Sequence, residues 1–231
     1  MKKISKLTVI TTLITLLPIV LGIALYDRLP EVVATHWNIH NRPDGWSSKA
    51  MAAFGMPGIL ALINLVCSTA MEIYPGSPFV RVRPVSIKAV GGWEKENKLA
   101  DKVSPRLMWL CRWIIPVLSL ILVPVMLYSA MGVSFDMGRI VCGILGIMFI
   151  IIGNYLPKCR RNGVVGIKIP WTLSSDENWD KTHRFAGFVW IVCGAAAIVG
   201  GWTKPVVAIV ALVAMILLPV VYSGILKHKG I

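Results

Sequence analysis

The sequence is poor in charge and poorest in acid: 15% of its 231 residues are charged, with 11 acidic residues against 24 basic ones. A soluble domain carries about 25% charged residues, so this composition excludes an ordinary water-exposed globule. Cysteine is scarce and unpatterned. Of the five, Cys67, Cys111, Cys142 and Cys193 lie in or beside apolar runs and Cys159 lies in a basic loop, which gives neither a disulfide framework nor metal-ligand spacing. A cleavage signal is also lacking. The run Leu7 to Leu25 follows Lys2, Lys3 and Lys6 as a signal peptide would, but it is long and has no small-x-small site before Tyr26, so a retained helix is expected. No basic-aromatic groove or DNA-reading helix lies outside the apolar runs. The net charge of +13 therefore points to loops that meet anionic lipid, with no direct contact to nucleic acid.

What is abundant is apolar residue, at 56% of the chain. A bilayer core of about 30 Å needs roughly 20 such residues in a helix. Uncharged windows of that size fall at 7–25, 51–71, 107–129, 139–157, 185–202 and 205–225. Thr203, Lys204 and Pro205 separate the last two, enough for a tight helical hairpin. The expected fold is all-α: a polytopic transmembrane bundle of about six helices. Of the 24 basic residues, only Arg28, Arg42, Lys49, Arg139 and Lys204 fall in segments that would lie outside if the N-terminus is inside. Lysine and arginine are retained on the cytoplasmic side, so both termini are expected in the cytoplasm. Polar residues within the spans are few. Asn64 reads as an interhelical hydrogen bond, and Arg112, near the inner end of the third helix, can extend its head towards water.

Three connections are long enough to carry function. In the outer one, Leu29 to Asn38 reads as extended, with Val33, Thr35 and Trp37 alternating on one face. Arg42-Pro43-Asp44-Gly45 reads as the turn, and Ser47 or Ser48 as the cap of the second helix. His36, His40 and Asp44 invite a metal reading, but Pro43 and Gly45 interrupt the helix that would align the two imidazoles, and no full ligand set is evident. His36, Trp37, Asn38 and Asp44 are instead the candidate sensing residues for a peptide or lipid, with Trp37 and Trp46 anchoring the loop at the headgroup level. In the inner loop 72–106, the mixed charges of Gly91 to Lys98 read as a solvated helix or loop.

The inner loop 158–184 is the most distinctive. Pro157 ends the fourth helix, and Lys158, Arg160 and Arg161 meet headgroups. Gly166 to Leu173 is too apolar for a free loop and is expected either along the interface or folded back between helices. Ser174-Ser175-Asp176-Glu177 resembles a capping box with Ser174 as the cap. Beyond it Trp179, His183 and Gly187 share a helix face, expected to pack on Pro170-Trp171, and Gly187 and Gly194 permit close helix approach. A serine hydrolase built on Ser174 or Ser175, Asp176 and His183 is disfavoured, because two helical turns separate serine from base. No catalytic constellation, cofactor or metal is expected.

In order, Asn154, Pro157, Asn162, Gly166-Ile167, Pro170-Trp171-Thr172, Trp179 and Thr182-His183 resemble the SdpI/YfhL family of bacterial multi-helix membrane proteins. Leu29-Pro30, Thr35-His36-Trp37-Asn38, Asp44 and Ser48-Lys49 resemble the small DUF1648-like domain of unknown function often found ahead of it. The chain departs from these patterns at Ala34, Asn41, Lys168 and Ile169, where proline, glycine, arginine and threonine respectively are more usual. The resemblance divides the chain into an N-terminal helix pair with its outer loop, 1–71, a cytoplasmic loop, 72–106, and an SdpI-like four-helix membrane region, 107–231. It implies a bacterial plasma-membrane protein that gives immunity to a secreted membrane-active peptide toxin. It also implies an inward relay by capture of a transcriptional repressor, with membrane lipids, toxin and repressor as partners. The family-motif residues would then be structural or partner-binding. A small transporter or flippase using Asn64, Asn154 and His183 is the competing expectation, and the scarcity of intramembrane charge weighs against it.

Overall fold

The computed structural model describes residues 4–73, 105–162 and 165–231. Most of the 72–106 loop, including the Gly91 to Lys98 segment, lies outside the described residues. Among the described residues, six helical spans are long and apolar enough to cross a membrane: Lys6–Arg28, Met51–Glu72, Trp109–Ala130, Met137–Lys158, Asp176–Trp202 and Pro205–His228. Each expected apolar window falls on one of them. Many of their large apolar side chains, such as Val20, Phe188 and Val210, point away from the protein and are exposed. In water that surface would cost about 25 cal/mol per Å²; in lipid it costs nothing, so the inside-out burial is what a bilayer solvent dictates.

Two compact units are present, one formed by residues up to Thr69 with Leu110–Val141, the other by the remainder. In the first, α1 (Lys6–Leu16) is capped by Ser5, whose Oγ accepts from Thr8 N at 3.2 Å. It breaks at Leu17 because Pro18, the first residue of α2 (Pro18–Leu25), has no N–H to continue the ladder. The antiparallel strands β1 (Val32–Trp37) and β2 (Pro43–Ser48) form a hairpin. A single π-helical turn, Met51–Gly55, then leads into α3 (Met56–Ile73). The third span belongs to α4 (Pro105–Ala130).

Leu25, Leu29, Val33, Ala52, Ala53, Val123, Met126 and Leu127 form the core at the hairpin end of this unit. Gly22 permits the contact between the first two spans, since a Cβ there would lie 2.8 Å from the Ala53 carbonyl oxygen. Away from that end the unit is held by polar groups. Thr8, Thr11 and Thr15 are fully buried, and Thr11 and Thr15 donate back to the carbonyls of Thr8 (3.1 Å) and Thr11 (2.8 Å). Ser119 Oγ donates to the Thr15 carbonyl at 2.8 Å. With its amide turned to satisfy both ends, Asn64 accepts from Thr12 N at 3.2 Å and donates to the Arg112 carbonyl at 3.3 Å. Asn64 therefore has the interhelical role expected of it.

The second unit contains most of α5 (Met137–Tyr155), a short helix α6 (Pro170–Ser174), α7 (Asp176–Trp202) and α8 (Pro205–His228). Helices α5 and α7 run antiparallel through paired glycines. A Cβ on Gly146 would lie 2.5 Å from the Gly194 carbonyl oxygen, and one on Gly153 would lie 2.9 Å from that of Gly187. The expected close approach at Gly187 and Gly194 is present, and its partners are Gly146 and Gly153. Helices α7 and α8 form the expected hairpin across Thr203 and Lys204, fastened by Trp190 Nε1 donating to the Met215 carbonyl at 3.2 Å and by the Phe185–Tyr222 stack.

Candidate functional site

Two places concentrate the residues singled out above, one in each unit. The first is the hairpin between the first two spans. Its strands are paired Val32 to Ser48 and Trp37 to Pro43, with a bulge that sets His36 opposite Gly45. Val33 is fully buried and Trp37 packs on the core beneath, while Val32 and Trp46 on the other face are exposed. His36 Nδ1 lies 2.5 Å from Asp44 Oδ1 on that exposed face. His36 is the more open of the two, with 72% of its side chain exposed against 42% for Asp44, so both remain able to meet a ligand.

The turn differs from expectation. It runs through Asn38 to Arg42, and Pro43-Asp44-Gly45 belongs to β2. Asn38 Oδ1 accepts from His40 N (2.9 Å) and Arg42 N (3.1 Å), closing the chain before proline is reached. Asn41 takes the left-handed conformation at φ 57° that otherwise favours glycine. It also ties the hairpin tip to the start of α5, donating to the Phe135 carbonyl (3.1 Å) and accepting from Met137 N (2.8 Å). Gly45 is required for space, since a Cβ there would meet that of His36 at 2.9 Å. Ser48 Oγ accepts from Met51 N at 3.3 Å, which makes Ser48 the cap. Lys49 pairs with Glu31 at 2.7 Å, and that hydrogen bond holds its ammonium above the usual lysine range. Among the described residues no three metal-ligating side chains cluster, so His36, His40 and Asp44 do not form a ligand set there.

The second place is the 158–184 segment, where the family-motif residues fold into a latch. Trp179 and His183 are fully buried and stacked, with ring centroids 4.0 Å apart. Trp179 Nε1 donates to the Cys159 carbonyl at 2.6 Å. His183 Nε2 accepts from Ile167 N at 2.9 Å, so the ring proton sits on Nδ1, which donates to the Trp179 carbonyl at 2.8 Å. Both imidazole nitrogens are thereby used. Gly166 lies over these rings at φ 129°, and a Cβ on it would be 2.6 Å from His183 Nε2 and 2.8 Å from the Trp179 ring.

Asn162 is fully buried and staples its own loop: Nδ2 donates to the Arg160 (2.8 Å) and Val165 (3.1 Å) carbonyls, and Oδ1 accepts from Val165 N (2.8 Å). Thr172 Oγ1 donates to the Ile167 carbonyl (2.7 Å) and accepts from Ile169 N (3.1 Å). Pro170 opens α6, and Trp171 lies under the Lys227 ammonium, 5.2 Å from its ring centroid. Pro157 packs against Gly187, while the Asn154 side chain is exposed on α5.

Two expectations change here. The cap of α7 is Ser175, whose Oγ accepts from Asn178 N at 3.2 Å, because Ser174 completes α6. The Trp179–His183 face meets Cys159, Gly166 and Ile167, where Pro170-Trp171 was expected, and the Gly166 to Leu173 segment folds back onto α7. Ser175 Oγ is in the cap, Ser174 Oγ donates to the Trp171 carbonyl and both His183 nitrogens bond backbone, so among the described residues neither serine is paired with His183. Sequence reasoning missed Asn178 and Ser223. Both are fully buried: Ser223 Oγ donates to Asn178 Oδ1 at 2.5 Å, and Thr182 Oγ1 donates to the same oxygen at 3.1 Å. Asn178 Nδ2 donates in turn to the Ser223 and Ile231 carbonyls. A polar residue one position before Trp179 and a serine inside an apolar span were the available signals.

Residues 158–223, which contain the 158–184 segment and Ser223, match the SdpI/YfhL protein family. Residues 13–61, which contain the hairpin, match a domain of unknown function, DUF1648. The chain is similar to the Immunity protein SdpI of Bacillus subtilis (strain 168), with 25% identity over 223 residues, 96% of this chain and 95% of the relative. No solved structure matches. The chain is thus a multi-pass protein of the bacterial cell membrane with a region that matches the SdpI/YfhL family behind a region that matches DUF1648.

Proposed function

We propose that this chain is an immunity protein that protects its host from a secreted, membrane-active peptide toxin. The observation that carries the reading is the end-to-end similarity to Immunity protein SdpI, which spans both the hairpin and the latch. The chemistry is consistent with recognition. The exposed His36–Asp44 pair and Trp46 offer charge, hydrogen bonds and an aromatic surface to a ligand, whereas His183 is enclosed. In this reading both termini are cytoplasmic, which the distribution of basic residues supports, and the hairpin is the outward receiver, with His36, Asn38 and Asp44 at the contact and Trp37 seating the strand on the core behind them. The latch residues Asn162, Gly166, Thr172, Trp179, Thr182 and His183 hold the inner segment in shape. The finer proposal is that toxin binding is relayed inward and a cytoplasmic repressor is sequestered at the 158–184 segment.

Re-expression in a host made toxin-sensitive by deletion tests the first step: restored survival supports immunity, and no rescue at normal membrane abundance refutes it. For the second, a fluorescent repressor must move to the membrane only when toxin and this chain are both present. A repressor that stays in the cytoplasm under those conditions rules out the relay.

A further inference from the structure

The 158–184 segment holds a polar pocket that the latch does not use. Arg160, Arg161, Asp176 and Asp180 line a cavity of about 270 Å³. Arg161 is already engaged, with Nε 2.6 Å from Asp176 Oδ1 and Nη1 2.5 Å from the Leu173 carbonyl oxygen. It forms a fixed wall. Along the helix Glu177 is likewise taken, by Lys181 at 2.7 Å. Arg160 and Asp180 remain: both are exposed, and neither side chain has a hydrogen-bond or ion-pair partner among the described residues. The pocket also has a defined depth. The uncharged run 139–157 stops just before Arg160 and the uncharged run 185–202 starts five residues after Asp180, so both side chains lie where apolar helix gives way to headgroups.

A guanidinium is the preferred partner of a phosphate, which it can meet with two parallel N–H donors. A carboxylate is acceptor-only and suits an ammonium that carries N–H. A pocket that presents one unpaired group of each kind at headgroup depth matches a zwitterion that carries both. It does not match a simple anion, which Asp180 would repel. We propose that this pocket binds the phosphoethanolamine headgroup of a membrane lipid, with Arg160 on the phosphate and Asp180 on the primary ammonium. The site goes beyond the immunity reading and does not depend on it, since it requires only that the spans lie in a bilayer. Lys158 and Arg184, near Arg160 and Asp180 in the sequence, supply general attraction to anionic lipid; the discrimination comes from Asp180.

The test is lipid retention by the full chain, purified in detergent and exchanged with mixed micelles of phosphatidylethanolamine, phosphatidylcholine and phosphatidylglycerol, then read by native mass spectrometry. Phosphatidylcholine has the same phosphate but a quaternary ammonium without N–H. Phosphatidylethanolamine should be retained over it by about two- to fivefold, the range of an exposed ion pair. Asp180→Asn should remove that preference, Asp180→Glu should restore it, and Arg160→Gln should lower retention of both lipids. These surface substitutions break no hydrogen bond of the latch, and an unchanged melting temperature verifies that each variant is folded. Soluble phosphoethanolamine, tested by calorimetry in the same detergent, separates the sources: the lipid proposal predicts no measurable binding, and tight binding of the free compound overturns it. Equal retention of the ethanolamine and choline lipids, a preference for phosphatidylglycerol alone, or a preference that survives Asp180→Asn overturns it as well.

Discussion

Gly166→Ala is the sharpest perturbation of the latch because it adds one methyl group at a point with no room. At φ 129° the backbone is in a region that L side chains rarely adopt, and such strain costs about 1–3 kcal/mol. The new Cβ would also lie 2.6 Å from His183 Nε2, the atom that accepts from Ile167 N, so that bond must lengthen or break. Losing a buried acceptor for an N–H costs about 1–3 kcal/mol more. The total expected is about 2–6 kcal/mol. Part of the conflict is with the imidazole itself, so Gly166→Ala combined with His183→Ala should cost less than the two single changes added together, as coupled neighbours do. Thermal unfolding in detergent, followed by tryptophan emission, measures stability, and limited proteolysis between Cys159 and Ile169 reads the latch directly. Gly166→Ala should lower the melting temperature and expose the segment to protease. A variant that melts and resists protease like the wild type would refute the reasoning, as would strict additivity in the double variant.

Other outcomes follow from the same geometry. Gly146→Val should push α5 from α7 against the Gly194 carbonyl and destabilise the second unit, seen as faster proteolysis, whereas Gly224→Ala, with open space around it, should be silent. Asn64→Leu should cost about 0.6–1.7 kcal/mol, the range of a hydrogen bond between membrane helices, measured by unfolding in mixed micelles. Asn41→Ala should free the hairpin tip from Phe135 and Met137, read as faster amide exchange at Met137 N. Single cysteines at Trp46 and Lys229, in a background lacking the native five, should label oppositely with an impermeant maleimide: Trp46→Cys in intact cells, Lys229→Cys only after lysis.

The spans were legible because a bilayer demands long uncharged runs, and few other structures do. The strand Val32–Trp37 was legible from the alternation of Val33, Thr35 and Trp37. The turn was not, because Pro43-Asp44-Gly45 carries the stronger turn composition while the decisive contacts are two hydrogen bonds to a single Asn38 side chain. At the latch, the Trp179–His183 spacing showed that the two rings share a face, but not what covers them. Ile167 and Cys159 reach that face through chain reversals that no local pattern encodes. The same holds for Asn178 and Ser223, which lie on different helices. The Thr8, Thr11 and Thr15 series has helical spacing, yet threonine in an apolar run gives no sign of whether its hydroxyl crosses to a neighbour or bonds its own helix. Here Thr15 bonds its own helix, Thr11 reaches both its own helix and the turned Asn64 amide oxygen, and the Thr15 carbonyl receives Ser119.

The account stands or falls on protection itself. The decisive measurement is survival of a toxin-sensitive bacterium under a panel of secreted membrane-active peptides, comparing cells that carry the wild-type chain, His36→Ala at matched membrane abundance, and no chain. The account predicts that the wild type survives a peptide that kills the empty host, and that His36→Ala loses this protection while its latch stays protease-resistant. Death of wild-type cells under every peptide would contradict the immunity role, and full protection by His36→Ala would remove His36 from the receiving surface.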